Sequence, residues 1–243
     1  MSQESDEHDR TSPAPRTVTE ERTLSPMRRT IADRLGESYR NAVHVTLSRE
    51  VDAEALVDVA DRADEELGGE VSLLDVLLLA VSETLEQHPA FNATFEDGTH
   101  RVYDEHNLAV AVAIEAGLVT PVIADVGERS VAEVARERRR LTDLVRAGDY
   151  SMSDLRGGTF TVSNLGPLGV DSFTPIINPP QVAILGVGRT RERAAPAADG
   201  VEFRRTLTLD LSIDHRVVDG ADGARFLGTL AEHVEDAGAL VDG

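Results

Sequence analysis

His215 and Asp219, four residues apart in Asp214-His215-Arg216-Val217-Val218-Asp219-Gly220, are the side chains best placed to move a proton. Leu209, Leu211 and Ile213 alternate with polar residues at the two-residue period of a half-buried strand, and the run closes on Asp219-Gly220, a turn signal. The strand delivers the histidine at its end, where packing fixes the aim of the ring and the loop leaves it accessible, as a general base requires. Taken singly, such a histidine reads as a structural residue hydrogen-bonded at a strand terminus. Asp219 precedes a glycine, so its carboxylate can fold back to hold the loop or an arginine, with Arg28 or Arg29 as candidate partners. Ser163 brings a hydroxyl to the end of a second strand, just before Asn164-Leu165-Gly166; on its own it reads as the start of a turn.

The elements that carry these residues are legible in the spacing. Ser25-Pro26 starts a helix with Ile31, Leu35 and Tyr39 on one face to about Asn41. Val43, Val45 and Leu47 alternate into a strand through Val51, and Asp52 caps a helix that Gly68-Gly69 ends. Ser72 opens the most apolar helix, from Leu73 to about Gln87, expected at the centre of the core. A hairpin is predicted over 91–103 about Glu96-Asp97-Gly98-Thr99, and strands over 108–114 and 118–123. Ser130 caps a helix to Ala147 whose Arg138-Arg139-Arg140 run reads as a solvated face. Strands over 159–163, 182–187 and 204–213 follow, with a flexible turn over 192–200 and a last helix from about Ala221 to Val234. The pattern predicts an α/β fold, a sandwich with a mixed sheet and helices packed on one side.

Composition removes several chemistries. The 243 residues carry 44 acidic against 24 basic side chains, a net charge of −20, with every cation outside histidine an arginine and neither lysine nor cysteine present. Such a surface repels nucleic acid and anionic lipid, so neither is an expected partner. The acidic excess points to a high-salt, halophilic cytoplasm, where ions screen the self-repulsion. No apolar run approaches the ~20 residues that cross a bilayer, and the acidic start MSQESDEHDR is no secretory signal, so a soluble cytoplasmic protein is expected. Without cysteine there is no acyl-cysteine intermediate; without lysine there is no lipoyl, biotinyl or pyridoxal attachment and no Walker A loop. The scattered histidines have no metal-ligand spacing, so no metal is expected. Gly186-Val187-Gly188 lacks the third glycine of a dinucleotide site, and no GxSxG elbow surrounds Ser163.

Asp214-His215-Arg216-Val217-Val218-Asp219-Gly220-Ala221 resembles the HxxxDG signature of the dihydrolipoamide acyltransferases, the acyl-transferring subunits of 2-oxo acid dehydrogenase complexes. Chloramphenicol acetyltransferases and peptide-synthetase condensation domains share the core of that signature, but usually with a second histidine where Asp214 stands. The stretch from Gly157 through Thr159-Phe160-Thr161-Val162-Ser163-Asn164-Leu165-Gly166 to Ser172-Phe173-Thr174-Pro175-Ile176-Ile177-Asn178-Pro179-Pro180 is similar to the family's segment at the same distance before the histidine. With Leu24-Ser25-Pro26-Met27-Arg28-Arg29, the resemblance runs from about Thr23 to Ala237.

The resemblance implies a two-layer, chloramphenicol-acetyltransferase-like sandwich with the mixed sheet covered by helices, and direct acyl transfer between dihydrolipoamide and coenzyme A. It implies His215 as base, Ser163 as oxyanion donor and Asp219 as orienting residue. An imidazole, ordinarily near about 6.5, suits a thiol proton near about 8.5. Residues 1–22 read as an acidic disordered tail or linker remnant and 23–243 as the catalytic domain, with neither lipoyl nor peripheral subunit-binding domain; the lipoyl group must then come in trans on a separate carrier. The family implies a homotrimer with the site between subunits and dehydrogenase-complex subunits as partners; the weak apolar end Ala237-Gly238-Ala239-Leu240-Val241 makes a cubic assembly less expected. The competing expectations are a non-catalytic scaffold for such a complex and a coenzyme A acyltransferase with another small acceptor. The acyl group, acetyl, succinyl or branched-chain, stays open.

Overall fold

A seven-stranded mixed sheet forms the spine of the molecule in a computed structural model that describes residues 16–115, 117–197 and 200–241. Its strands are β1 (His44–Asp52), β4 (Leu108–Val110), β7 (Val122–Ile123), β8 (Phe160–Asn164), β9 (Ala183–Val187), β10 (Arg191–Ala197) and β11 (Gly200–Asp214). They run in the order β1-β11-β9-β8-β4-β7, with β10 beside the first half of β11. β8 is parallel to both β4 and β9, and the remaining pairs are antiparallel. The other two pairs are hairpins: β2 (Ala93–Glu96) with β3 (Thr99–Val102), and β5 (Val112–Ile114) with β6 (Gly117–Val119).

The two faces of the sheet differ because the strands alternate. Leu207, Leu209, Leu211 and Ile213 of β11, with Leu185 of β9 and Phe160 and Val162 of β8, enter the main apolar core. That face is covered by α2 (Glu54–Glu66), α3 (Leu73–Gln87) and α5 (Gly220–Glu235), while α4 (Val131–Ala147) packs outside α3. α3 is the central helix expected: Val76, Leu77, Leu78, Val81 and Leu85 have no exposed surface, and full burial of each such side chain contributes about 1.5–3 kcal/mol. The opposite face carries Thr161, Ser163, Asp210, Ser212 and Asp214, buried under irregular chain. α1 (Pro26–Asn41) crosses that side, started by Ser25, whose Oγ accepts the Arg28 amide.

Several predicted elements changed. The stretches 108–114 and 118–123 each break in two, because Pro121 supplies no amide donor and its carbonyl instead accepts from Val110, so the hairpin tip leaves the sheet. The stretch read as a flexible turn over 192–200 is largely β10, paired with β11 and tied to β1 through Arg191 and Arg193 to Glu50 at 3.2 and 3.1 Å. Arg138 is no solvated residue: it holds Asp75, which is fully buried, through two nitrogens at 2.5 and 2.9 Å and so clamps α4 to α3. Tyr39 is 71% exposed, so the α1 face holds Ile31 and Leu35 but not the tyrosine. Asp52 accepts the Glu54 amide from one residue before the cap, which is Ala53. The 91–103 hairpin turns on Asp97 and Gly98, both at positive φ as a two-residue I′ turn requires.

Of the stretch expected as a tail, 16–22 is exposed and outside helix and strand, and 1–15 lies outside the described residues. No helix among the described residues is long and apolar enough to cross a membrane. At the other end Leu240 and Val241 pack against the chain's own core.

Candidate active site

β11 ends by pinning a turn. The Asp214 amide donates to Val182 and the His215 amide to Val43, and the Val217 and Val218 amides return to the Asp214 carbonyl. The Asp214 side chain, 2% exposed, accepts from the Val43 amide and from the amide, Nε and Nη2 of Arg216, the last at 2.5 Å. Burial pushes its carboxyl up, but the Arg216 guanidinium and the two backbone amides outweigh that and hold it below the ordinary carboxylate value. Arg216 in turn lies over the Phe95 ring, 4.9 Å from its centre. The residues flanking His215 are thus rigid while its own side chain stays 40% exposed.

Asp219 stands at the N-terminus of α5, its amide donating to Asp222 at 3.3 Å. Its Oδ1 lies 3.6 Å from His215 Nδ1, an ion-pair distance rather than a hydrogen bond, which leaves Nε2 as the outward nitrogen. The expected arginine partner is not found: among the described residues none pairs with Asp219, and Arg28 and Arg29 do not reach it. Arg28 lies beside Gly117 of β6, whereas Asp219 follows β11 beside β1 at the other side of the sheet.

Ser163 is 8% exposed and lies on the inner wall of a cavity of about 840 Å³ under α1. The wall is mostly apolar, with Ile31, Leu118, Phe173 and Ile184 among its residues, and is interrupted by a small polar set. In that set Thr161 Oγ1 donates to Gln181 Oε1 at 2.5 Å, Gln181 Nε2 to the Gly158 carbonyl at 2.9 Å, and Asn178 Nδ2 to Thr161 Oγ1 at 3.4 Å. Arg34 donates to the Pro179 carbonyl at 2.7 Å and Ser38 to the Ile177 carbonyl at 2.7 Å, fastening α1 to the far wall. His44 Nε2 accepts the Ile177 amide at 3.2 Å. Among the described residues no cluster of histidine and carboxylate side chains could hold a metal ion.

Ser163 and His215 do not meet within the chain. In register Ser163 pairs with Gly186 and Gly186 with Asp210. His215 is five residues beyond Asp210 at about 3.3 Å each and two strands away at about 4.8 Å each, a separation of roughly 19 Å. His215 does not line the serine cavity.

Residues 17–241 match the family described as 2-oxoacid dehydrogenases acyltransferase (catalytic domain). The chain belongs to this family. The match begins at Thr17, inside the stretch expected as tail. The dihydrolipoyllysine-residue acetyltransferase component of the Rickettsia bellii pyruvate dehydrogenase complex is 36% identical over 91% of this chain and 55% of its own length. A relative of different acyl preference, the succinyltransferase component of the Bartonella vinsonii 2-oxoglutarate dehydrogenase complex, is 37% identical over 92% of this chain and 56% of its own. The chain thus spans about half the length of the curated relatives it matches.

Among solved structures of the family, the Azotobacter vinelandii dihydrolipoamide acetyltransferase superposes with a TM-score of 0.88 at 29% identity, covering 95% of this chain and 99% of that one. It was investigated for the role of a serine, a histidine and an asparagine in its catalytic mechanism. Chloramphenicol acetyltransferase shares the fold at a TM-score of 0.50 and 16% identity, covering 84% of this chain and 93% of that one, which agrees with the fold class expected for the acyltransferase family. Sequence reasoning passed over Asp210, Phe173, Thr161, Asn178 and Gln181, although the polar residues alternating with Leu209, Leu211 and Ile213 signal a second buried face.

Proposed function

We propose that this chain transfers an acyl group between the dihydrolipoamide of a separate lipoyl carrier and coenzyme A, in a site shared by two copies of the chain within a homotrimer. The observation that carries the reading is that Ser163 lines a cavity that His215 does not, the two lying roughly 19 Å apart by strand register. The spacing of the residues studied in the Azotobacter enzyme adds support: its serine precedes its histidine by 52 residues and its asparagine follows by four, as Ser163, His215 and Asp219 are spaced here. An aspartate replaces the asparagine.

In this reading His215 Nε2 takes the proton from the coenzyme A thiol as the sulfur attacks the acyl-dihydrolipoamide carbonyl. The neighbour's Ser163 hydroxyl donates to the oxyanion, a contact worth about 2.7–4 kcal/mol in comparable sites. Collapse expels the dihydrolipoamide sulfur, which takes the proton back from His215, and the enzyme is never acylated. Asp219 orients the imidazole through Nδ1 rather than accepting the proton. The test is acyl exchange between acetyl-coenzyme A and free dihydrolipoamide: His215→Ala is expected to lose at least hundredfold in kcat while remaining an oligomer of wild-type size, and full activity in that variant ends the proposal. The working medium in this reading is a salt-rich cytoplasm, since a net charge of −20 without lysine needs screening. Far-ultraviolet circular dichroism unchanged on dialysis from molar to millimolar salt would refute that part.

A further inference from the structure

Across the site face of the sheet, Ser48 of β1, Asp210 of β11, Gly186 of β9 and Ser163 of β8 form one row in register. Gly186 has no positive φ, so its backbone conformation does not require glycine. What requires it is space: a Cβ built there would come 2.9 Å from Phe173 Cζ and 3.1 Å from Cε1. The phenyl ring therefore lies on the bare backbone of Gly186, one strand spacing, about 4.8 Å, from the strand that carries Ser163. Phe173, Ile184 and Ser163 line the same cavity.

The ring is held from below. Asp210, 1% exposed, accepts the Phe173 amide at 3.0 Å on Oδ2 and the Ser172 hydroxyl at 3.0 Å on Oδ1, where the Ser48 hydroxyl also donates. These donors are neutral, and together they occupy both oxygens. A buried carboxylate spent on fixing one loop residue makes the position of that residue a designed feature of the face.

Resting on the acyltransferase reading, we propose that Phe173 sets the size of the acyl group, with Asp210 as its positioning residue and Gly186 as the gap that admits the ring. A carbonyl oxygen that accepts from Ser163 Oγ brings the carbon chain of its acyl group within van der Waals reach of the neighbouring strand, and there the ring forms the wall. Thr161, the next residue along β8 on this face, is engaged with Gln181 and Asn178. Relatives of both acetyl and succinyl preference match this chain about equally well, so overall likeness does not choose the acyl group; the wall beside the serine does, and it is uncharged.

The experiment is the ratio of kcat/KM for isobutyryl- over acetyl-coenzyme A, with free dihydrolipoamide as acceptor. Phe173→Ala is expected to raise the ratio about tenfold or more, the range one or two methylenes command in an apolar pocket. Asp210→Asn, which exchanges one acceptor oxygen for an amide NH2 donor, is expected to raise it less. Gly186→Ala should depress both substrates, and Gly186→Ala combined with Phe173→Ala should recover, because the collision partner is gone. A ratio in Phe173→Ala within twofold of wild type overturns the inference, and so does a double variant no better than Gly186→Ala. Should Phe173→Ala fail to fold, Phe173→Leu carries the same comparison. A wild-type protein inactive with every acyl-coenzyme A instead overturns the acyltransferase reading, and the two failures are separate.

Discussion

Two inactive variants should make an active protein when their subunits mix. Ser163 and His215 lie roughly 19 Å apart within a chain by sheet register, whereas a base and an oxyanion donor must both come within about 3 Å of one thioester. In the proposed cyclic trimer each site would take its histidine from one subunit and its serine from the next. A trimer mixing His215→Ala and Ser163→Ala subunits then always contains one intact site in three, whichever variant is in excess. Differently tagged variants, co-expressed and purified through both tags, should recover about one third of the wild-type kcat per trimer, or about one quarter before the second tag. Each variant alone should be down at least about hundredfold. A twofold-symmetric dimer would instead give about one half, so the recovered fraction also reads the symmetry. Doubly tagged protein no more active than its parents would mean that the two residues act within one chain or not together, and the shared site would be wrong.

Other consequences follow from the surrounding structure. Asp214→Asn removes the ion pair to Arg216 that stiffens the turn, so kcat should fall about tenfold to hundredfold by misplacing His215; an unchanged kcat would disconnect that pair from the site. Arg138→Met leaves Asp75 buried without its cation and should cost about 3–5 kcal/mol in urea unfolding at high salt, whereas a loss below about 1 kcal/mol would show that water reaches Asp75. Burial lowers the pKa of both His106 and His88 despite nearby carboxylates, Glu86 and Glu83 for the first and Asp222 for the second. Protonation therefore favours the unfolded chain: their contribution to stability is present above the ordinary imidazole value of about 6.5 and is lost as pH falls below it. Between pH 7 and pH 5 the unfolding midpoint should fall less steeply in His106→Gln than in the wild type, and equal slopes would refute the assignment.

Much of this was legible in the chain itself because it is local. Ser25, Ser72 and Ser130 mark helix starts within their own first turns, Asp97-Gly98 specifies a two-residue hairpin, and the alternation of Leu209, Leu211 and Ile213 specifies a strand with one apolar face. The breaks at Ala111 and Pro121 were missed since a hydrophobic run does not reveal which half of a hairpin stays in the sheet. β10 was missed because Arg191, Arg193 and Glu192 look like a solvated turn until Glu50 of a distant strand is beside them.

The sequence by itself determined the inventory: a histidine at a strand end, a serine at another, no lysine or cysteine for covalent chemistry, and the order of the elements that carry them. Only the tertiary structure decided their relations. Which face Ser163 shares with Asp210, why position 186 must be bare, that Asp219 faces His215 rather than an arginine, and how far Ser163 lies from His215 within one chain all depend on strand register. Register is set by the packing of residues far apart in the chain, and a one-residue slip would send every one of these side chains to the other face.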